Sequence, residues 1–461
     1  MILDAKNTGA YSAMDRVRSL IFNKGLSYYV YTFGCQQNEA DSEKICSISE
    51  MMGYSKADDP SLADLIILNT CAIRAHAQMK AMSLLGKFKA QKQKKPHLVV
   101  GLVGCMAAKE EVVKSIKTKF PFVSFTAEPN MLHRIPEAVL SALSLSERTF
   151  IIGEDQGDIV EGICQKRTSS HKAMVSIMYG CNNFCTYCVV PYVRGRERSR
   201  ESPAIISECR ALAKGGVKEI MLLGQNVNSY RSDIDFPELL SRIAEIEGDF
   251  IIRFMTSHPK DTSSKLVDVM RKYSPKIAPY FHLPLQAGSD RILSLMNRTY
   301  TRERFFEIVK ELREKIPSIS LSTDIIVGFP GETEEDFLQT LDMLRLCRFD
   351  LVYAFMYSSR EGTVAAKMDG HIDESEKSSR LSRLFEVQDP ISYEKNLPYL
   401  NSTVRVLVDS AEERGGEIIY TGRTDTNKLV HFKAPDASIG EFVLVKIEKT
   451  GGFDLVGVAE K

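Results

Sequence analysis

Residues 181–188 read CNNFCTYC, which places Cys181, Cys185 and Cys188 in a C-x3-C-x2-C pattern. Thiolates are the protein ligands of iron–sulfur clusters, and a 4Fe-4S cluster normally takes four of them. Three in one tight loop leave one iron without a protein ligand, so that iron can bind something else. A zinc loop is the competing reading, but zinc usually takes two pairs of ligands and no second pair lies nearby. Three more cysteines, Cys35, Cys71 and Cys105, each follow a short apolar run: SYYVYTF-G-C, LIIL-NT-C and LVVGLV-G-C.

Those runs define the elements that must hold the cysteines. Residues 27–33, 65–68 and 98–103 predict strands, followed by helices over about 38–52, from about 74 and from about 107. Strands alternating with helices imply a parallel sheet, whose ligand sites lie at the carboxyl ends of its strands. All three cysteines fall at that edge, where they can converge on one point as a second three-thiolate group. Three unrelated core cysteines are the alternative, since buried free cysteine is common.

From residue 171 the alternation resumes on a larger scale. Strands are expected at 174–178, 219–223, 250–256, 280–285, 319–327 and 351–357, with helices between, such as 203–214 after a Ser202 cap and 302–315 after a Thr301 cap. Six such units predict a partial (βα)6 barrel with its chemistry at the C-terminal mouth, where the CNNFCTYC loop lies. Beyond residue 397, runs at 404–408, 417–421, 429–432, 441–447 and 455–458 predict a small OB-like β-barrel, a common platform for single-stranded RNA. The fold class is therefore α/β: residues 1–24 as a mobile leader, 25–150 as a parallel-sheet domain, 151–170 as a linker, 171–396 as the partial barrel and 397–461 as the small barrel.

Lys+Arg and Asp+Glu balance at 60 each, so any nucleic-acid site must be local. Candidates are the lysine run at 87–95, which reads equally as a solvated helix end, and Arg405, Arg423, Lys428, His431 and Lys433 of the small barrel. Ten cysteines without a signal peptide point to the cytoplasm, where clustered cysteines read as metal or redox ligands. No apolar run reaches the ~18 residues of a membrane span.

In order and context (FGCQ, NTCAIR, GCMA, then CNNFCTYC, then five short strands) the chain resembles the radical S-adenosylmethionine (SAM) methylthiotransferases over roughly residues 27–461. LLGQNVNSY (222–230), HLPLQAGSDRIL (282–293) and VVPYVRG (189–195) are most similar to the subgroup acting on N(6)-dimethylallyladenosine of tRNA. Other subgroups act on threonylcarbamoyl-adenosine or on a ribosomal-protein aspartate. Gln37 departs from the methionine that the family often carries there.

The resemblance implies two 4Fe-4S clusters, one on Cys181, Cys185 and Cys188 that binds and reductively cleaves SAM, and one on Cys35, Cys71 and Cys105 that carries the sulfur. One SAM would donate a methyl group and another would serve as radical source, because the adenine C2–H is unactivated and no acid–base group can substitute it. At the barrel mouth, Gly224, Gln225, Ser257, Gln286, Asp324 and Gly328 are the expected SAM contacts, with Arg194 beside them. Arg196, Arg405, Arg423 and Lys428 are expected to meet RNA, while Arg198 and Arg200 are open between a contact to SAM or RNA phosphate and surface charge. The implied partners are a tRNA anticodon stem-loop, an electron donor such as flavodoxin or ferredoxin, and a sulfur source. A non-catalytic iron–sulfur protein that binds RNA or senses redox state is the competing class.

Overall fold

The computed structural model describes residues 8–72, 75–153, 159, 161 and 166–460. It divides into two compact units: Met1–Thr168 with Tyr179–Asn182 and Val189–Arg198, and Ser169–Met178 with Asn183–Cys188 and Ser199–Lys461.

The first unit is built on a six-stranded, all-parallel sheet, in the order Ser55–Lys56, Ser27–Thr32, Leu65–Thr70, Val99–Gly104, Phe125–Ala127, Thr149–Ile151. Leu65–Thr70 and Val99–Gly104 are buried at every position, as a parallel strand covered on both faces must be. Leu65, Ile67, Val99 and Val103 pack into one core, and Ile66, Leu68, Val100 and Leu102 into another on the opposite face. The expected leader is corrected from residue 8 onward. Thr8–Ile21 is a helix whose Met14, Val17 and Ile21 join the first core beside Ile45, Ile48 and Val139. Residues 1–7 and, in the expected linker, residues 154–158, 160 and 162–165 lie outside the described residues.

The second unit holds six parallel strands: Lys172–Ser176, Glu219–Leu223, Ile251–Phe254, Tyr280–His282, Ser320–Val327 and Leu351–Met356. They are the six expected. They pair as two groups of three, joined where the Ile252 N–H donates to Lys276 O (2.8 Å) and the Ala278 N–H to Ile252 O (2.9 Å). Helices follow the strands: the Thr301 hydroxyl caps Arg302–Lys315, whereas Ser202 is the first residue of its helix and its hydroxyl donates to Asp233.

The C-terminal strands Thr403–Arg414, Glu417–Thr424, Leu429–Lys433, Phe442–Thr450 and Asp454–Ala459 close into a barrel. It docks at the amino-terminal side of the six strands. Arg253 donates to Thr424 O (2.7 Å) and Asp425 O (3.2 Å), and Lys428 pairs with Asp350 at 2.7 Å. Phe442 packs against Ile251, Ala278 and Tyr280. Among the described residues no helix is long and apolar enough to cross a membrane.

Candidate active site

Cys35, Cys71 and Cys105 leave the carboxyl ends of three adjacent strands, whose register pairs Thr32 with Asn69 and Thr70 with Gly104. Two glycines turn the chain there. Gly34 has φ +151° and Gly104 has φ +90°, a region open to glycine at little cost. A Cβ on Gly104 would stand 2.5 Å from Asn69 Oδ1 and 2.6 Å from Thr70 O, and one on Gly34 would stand 3.0 Å from Cys71 Cβ. Two buried asparagines lock the turns together. Asn38 donates to Asn69 Oδ1 (3.1 Å) and Thr70 O (3.3 Å), and Asn69 donates back to Asn38 O (2.7 Å) and to Ser42 Oγ (2.9 Å).

Burial pushes the Cys105 thiol up to about 11; Arg194 opposes this, while Cys71, Cys35 and Asp41 add to it. Arg194 is buried too, with Nε 3.2 Å from Cys105 Sγ and Nη2 2.9 Å from Asp41 Oδ2. Burial disfavours its charge, but Cys105, Asp41 and Cys35 outweigh that and hold it cationic. Cys181 also belongs to this unit; it is buried and its N–H donates to Gly195 O (3.2 Å).

In the second unit, residues 183–188 are pinned from outside the loop. Asn297 donates to Asn183 O and Phe184 O (3.1 Å each), the Thr186 N–H donates to Met296 O (3.1 Å), and the Ala365 N–H to Thr186 O (2.8 Å). The Cys188 N–H donates to Cys185 O (2.9 Å), and Tyr187 sets its ring edge-on to Phe329. Arg298, one residue beyond Asn297, points Nη1 at Cys185 Sγ, 3.5 Å away.

At the carboxyl ends of the barrel strands the backbone is strained. Thr256 (φ +66°) and Gln286 (φ +69°) are non-glycine residues in the left-handed region. Such strain persists where the surroundings enforce it, and it gathers at ligand sites. Ser257 Oγ, beside Thr256, is buried without a hydrogen-bond partner among the described residues. Among the described residues no three His, Cys, Asp or Glu side chains are gathered closely enough to hold a single metal ion.

A family model described as the radical SAM superfamily matches residues 175–344, one described as uncharacterized protein family UPF0004 matches 27–127, and the TRAM domain matches 398–459. The chain is 48% identical over 444 residues to the tRNA-2-methylthio-N(6)-dimethylallyladenosine synthase of Alkaliphilus oremlandii (strain OhILAs), covering 95% of this chain and 94% of that one. It is 45% identical over 438 residues to the synthase of the same name from Thermoanaerobacter sp. (strain X514), covering 94% and 93%.

The chain belongs to the tRNA-2-methylthio-N(6)-dimethylallyladenosine synthase family.

The fold is similar to that of the radical S-adenosylmethionine methyltransferase TsrM from Kitasatospora setae, solved with cobalamin and a [4Fe-4S] cluster, at TM-score 0.56 and 13% identity over 74% of each chain. As a radical SAM protein, a member of this synthase family uses a 4Fe-4S cluster and SAM. The residues present fit them. Thiols are what such a cluster requires, and the Ser257 hydroxyl at a strand end is buried with its hydrogen-bonding capacity unused among the described residues.

The other sequence candidates fare unevenly. Gly224 and Thr256 are tied together by a hydrogen bond from Thr256 Oγ1 to Gly224 O (2.6 Å), with Gln225 half-buried beside them. Gln286 is buried and bridges to Ile325, and Asp324 stands 3.4 Å from His282. The Gly328 N–H is taken by Glu332 (2.7 Å), and Lys377 covers its α-carbon. Arg194 is engaged within the first unit, where its guanidinium meets Asp41 and Cys105.

Lys428 is a correction. It is buried in its pair with Asp350, so it docks the barrel and does not present charge to RNA. Arg405 pairs with Asp249 and lies 3.5 Å over the Phe442 ring, and Arg423 donates to Asn427 O (3.1 Å); both serve the second unit's own packing. Arg196 is exposed. Lys87, Lys89 and Lys94 are exposed on the helix Ala75–Lys94.

Sequence reading missed Asp41, Asn38, Asn69 and Arg298. Asn69 carried a signal, as a polar residue inside the buried run LIILNT that must have a partner. Arg298 lies 113 residues from Cys185 and carried none.

Proposed function

We propose that the protein is a tRNA methylthiotransferase that converts N(6)-dimethylallyladenosine at position 37 to its 2-methylthio derivative, using one SAM as methyl donor and one as radical source. Family membership at 45–48% identity across almost the whole chain supports the reaction. The observation that carries the mechanism is the placement of Cys35, Cys71 and Cys105 at the carboxyl ends of three adjacent parallel strands.

In this reading Cys181, Cys185 and Cys188 hold the SAM-binding 4Fe-4S cluster, and Cys35, Cys71 and Cys105 hold a second one. When bound, these groups supply the one-electron and sulfur chemistry that an unactivated aromatic C–H demands. The chain's own residues orient and enclose them. Asn38 and Asn69 fix the turns that present Cys35 and Cys71. Arg194 and Arg298 donate to a sulfur in each group, and Ser257, Gln286 and Asp324 offer polar contacts for SAM. The substrate base lies in a tRNA loop and can be splayed out without breaking a helix. An electron donor such as flavodoxin or ferredoxin, a sulfur source and a cytoplasmic setting complete the proposal.

Mass spectrometry of tRNA nucleosides from a strain lacking the gene tests the substrate. The 2-methylthio derivative of dimethylallyladenosine should disappear and its unthiolated precursor accumulate. Loss of 2-methylthio-threonylcarbamoyl-adenosine instead would assign the enzyme to another subgroup.

A further inference from the structure

Among the described residues five arginines are buried: Arg194, Arg200, Arg253, Arg298 and Arg380. Four of them have a carboxylate within ion-pair distance: Asp41 for Arg194, Glu208 for Arg200, Glu219 for Arg253 and Glu332 for Arg380. Arg298 differs. Its Nε donates to Tyr300 Oη (3.0 Å), its Nη2 to Pro284 O (3.0 Å), and its Nη1 points at Cys185 Sγ (3.5 Å). Among the described residues no carboxylate pairs with it.

A buried guanidinium without a counter-anion is strongly unfavourable, because its charge has lost its hydration. A fold that keeps one has an anion to place beside it, and the sulfur that Arg298 faces belongs to Cys185 of the three-cysteine loop. A cluster held by three thiolates is such an anion, because the ligands' negative charge exceeds the core's positive charge. On taking up one electron from an external reductant it becomes more negative still, and a neighbouring cation favours that reduced state.

We propose that Arg298 is the positioning residue of the Cys181/Cys185/Cys188 cluster: it donates a hydrogen bond to the Cys185 sulfur and supplies the cluster's counter-charge, raising its reduction potential. The geometry serves both roles. Asn297 clamps the cysteine loop through Asn183 and Phe184, so the residue that follows is delivered to the sulfur in a fixed orientation. Tyr300, accepting from Arg298 and donating to Leu285 O (2.7 Å), fixes the guanidinium plane. The proposal rests on the cluster assignment made above.

The test is a potentiometric titration followed by electron paramagnetic resonance on the anaerobically reconstituted full chain. The background is Cys35→Ala/Cys71→Ala/Cys105→Ala, so that a single cluster is observed. A hydrogen bond to a charged group is stronger than one between neutral groups, and the glutamine amide carries no charge. Arg298→Gln should therefore lower the ratio of reduced to oxidised cluster at fixed poise about tenfold or more, a shift of about 59 mV per tenfold for one electron. Arg298→Lys, which keeps the charge, should recover most of it. If Arg298→Gln fails to bind iron while Arg298→Lys binds it, the counter-charge role is supported. An unchanged potential in Arg298→Gln at equal iron content overturns the inference, as does loss of iron in both variants. If the parent itself binds no cluster, the ligand assignment beneath the inference is what fails.

Discussion

Arg194 Nε lies 3.2 Å from Cys105 Sγ, at the end of a buried chain that begins at Asp41. Asp41 comes from the helix that Cys35 opens, Cys105 follows the strand Val99–Gly104, and Arg194 lies six residues beyond Cys188 in sequence. One salt bridge thus fixes a sulfur of one cysteine group through a residue that follows the other group along the chain.

Breaking that bridge on one side leaves an unpaired buried charge. Arg194→Met should destabilise the first unit by about 3–5 kcal/mol. The double variant Arg194→Met/Asp41→Asn should lose less than Arg194→Met alone, because no bare carboxylate remains. Urea unfolding of both variants, followed by circular dichroism, checks the ordering; equal losses would mean that Asp41 is not the partner that matters.

Gly104 tests the turn before Cys105. Alanine there would adopt φ +90° and push its Cβ against Asn69 and Thr70. Backbone strain alone should cost on the order of 1–3 kcal/mol, with displacement of the Asn38–Asn69 lock added to it. Thermal unfolding should fall accordingly, and iron bound per chain should drop by up to half. A Gly104→Ala protein with unchanged melting and full iron would show that the turn is not constrained.

The fold was legible where local pattern and burial coincide. Runs such as LIIL and LVVGLV are apolar because both faces of their strands are covered, and the Gly-Cys or Thr-Cys that ends them marks the carboxyl edge. The helix Thr8–Ile21 also carried helical spacing, in Ala10, Ala13, Met14, Val17 and Ile21, but two alanines and intervening charges mute it. Side-chain partners were not legible. Lys428 has the charge of an RNA contact and the burial of a structural ion pair, and only the proximity of Asp350 decides between them. Arg194, in a run of four alternating arginines, differed from its neighbours only once the fold had brought Cys105 and Asp41 to it.

That distinction is testable at Lys428. Lys428→Met should destabilise the second unit by about 3–5 kcal/mol, since Asp350 would be left buried and unpaired. In protein that remains folded, the slope of log Kd for tRNA against log salt should be unchanged, because no phosphate contact is lost. A slope reduced by about one unit would return Lys428 to the RNA surface.

His258 contributes a pH dependence. Burial, with the charges of Arg298 and Lys260, lowers its folded-state pKa to about 2. The unfolded chain takes up a proton near pH 6.5 that the folded chain refuses. Stability is therefore full above that pH and declines as pH falls from about 6.5 towards 2, by up to about 1.4 kcal/mol per pH unit. His258→Asn keeps an acceptor for the Lys260 N–H and should flatten this component between pH 6.5 and 5. An identical slope in the variant would mean that His258 is not the group responsible.

The division of labour between the two cysteine groups is the central claim. The most direct measurement is to quantify 5′-deoxyadenosine and 2-methylthio nucleoside in one reaction. That reaction contains dithionite, SAM, substrate tRNA and the Cys35→Ala/Cys71→Ala/Cys105→Ala protein. The variant retains Cys181, Cys185 and Cys188, so 5′-deoxyadenosine should still form while the methylthio product is absent. Methylthio product from this variant would contradict the account, because the sulfur would then have to come from somewhere other than the Cys35, Cys71 and Cys105 group.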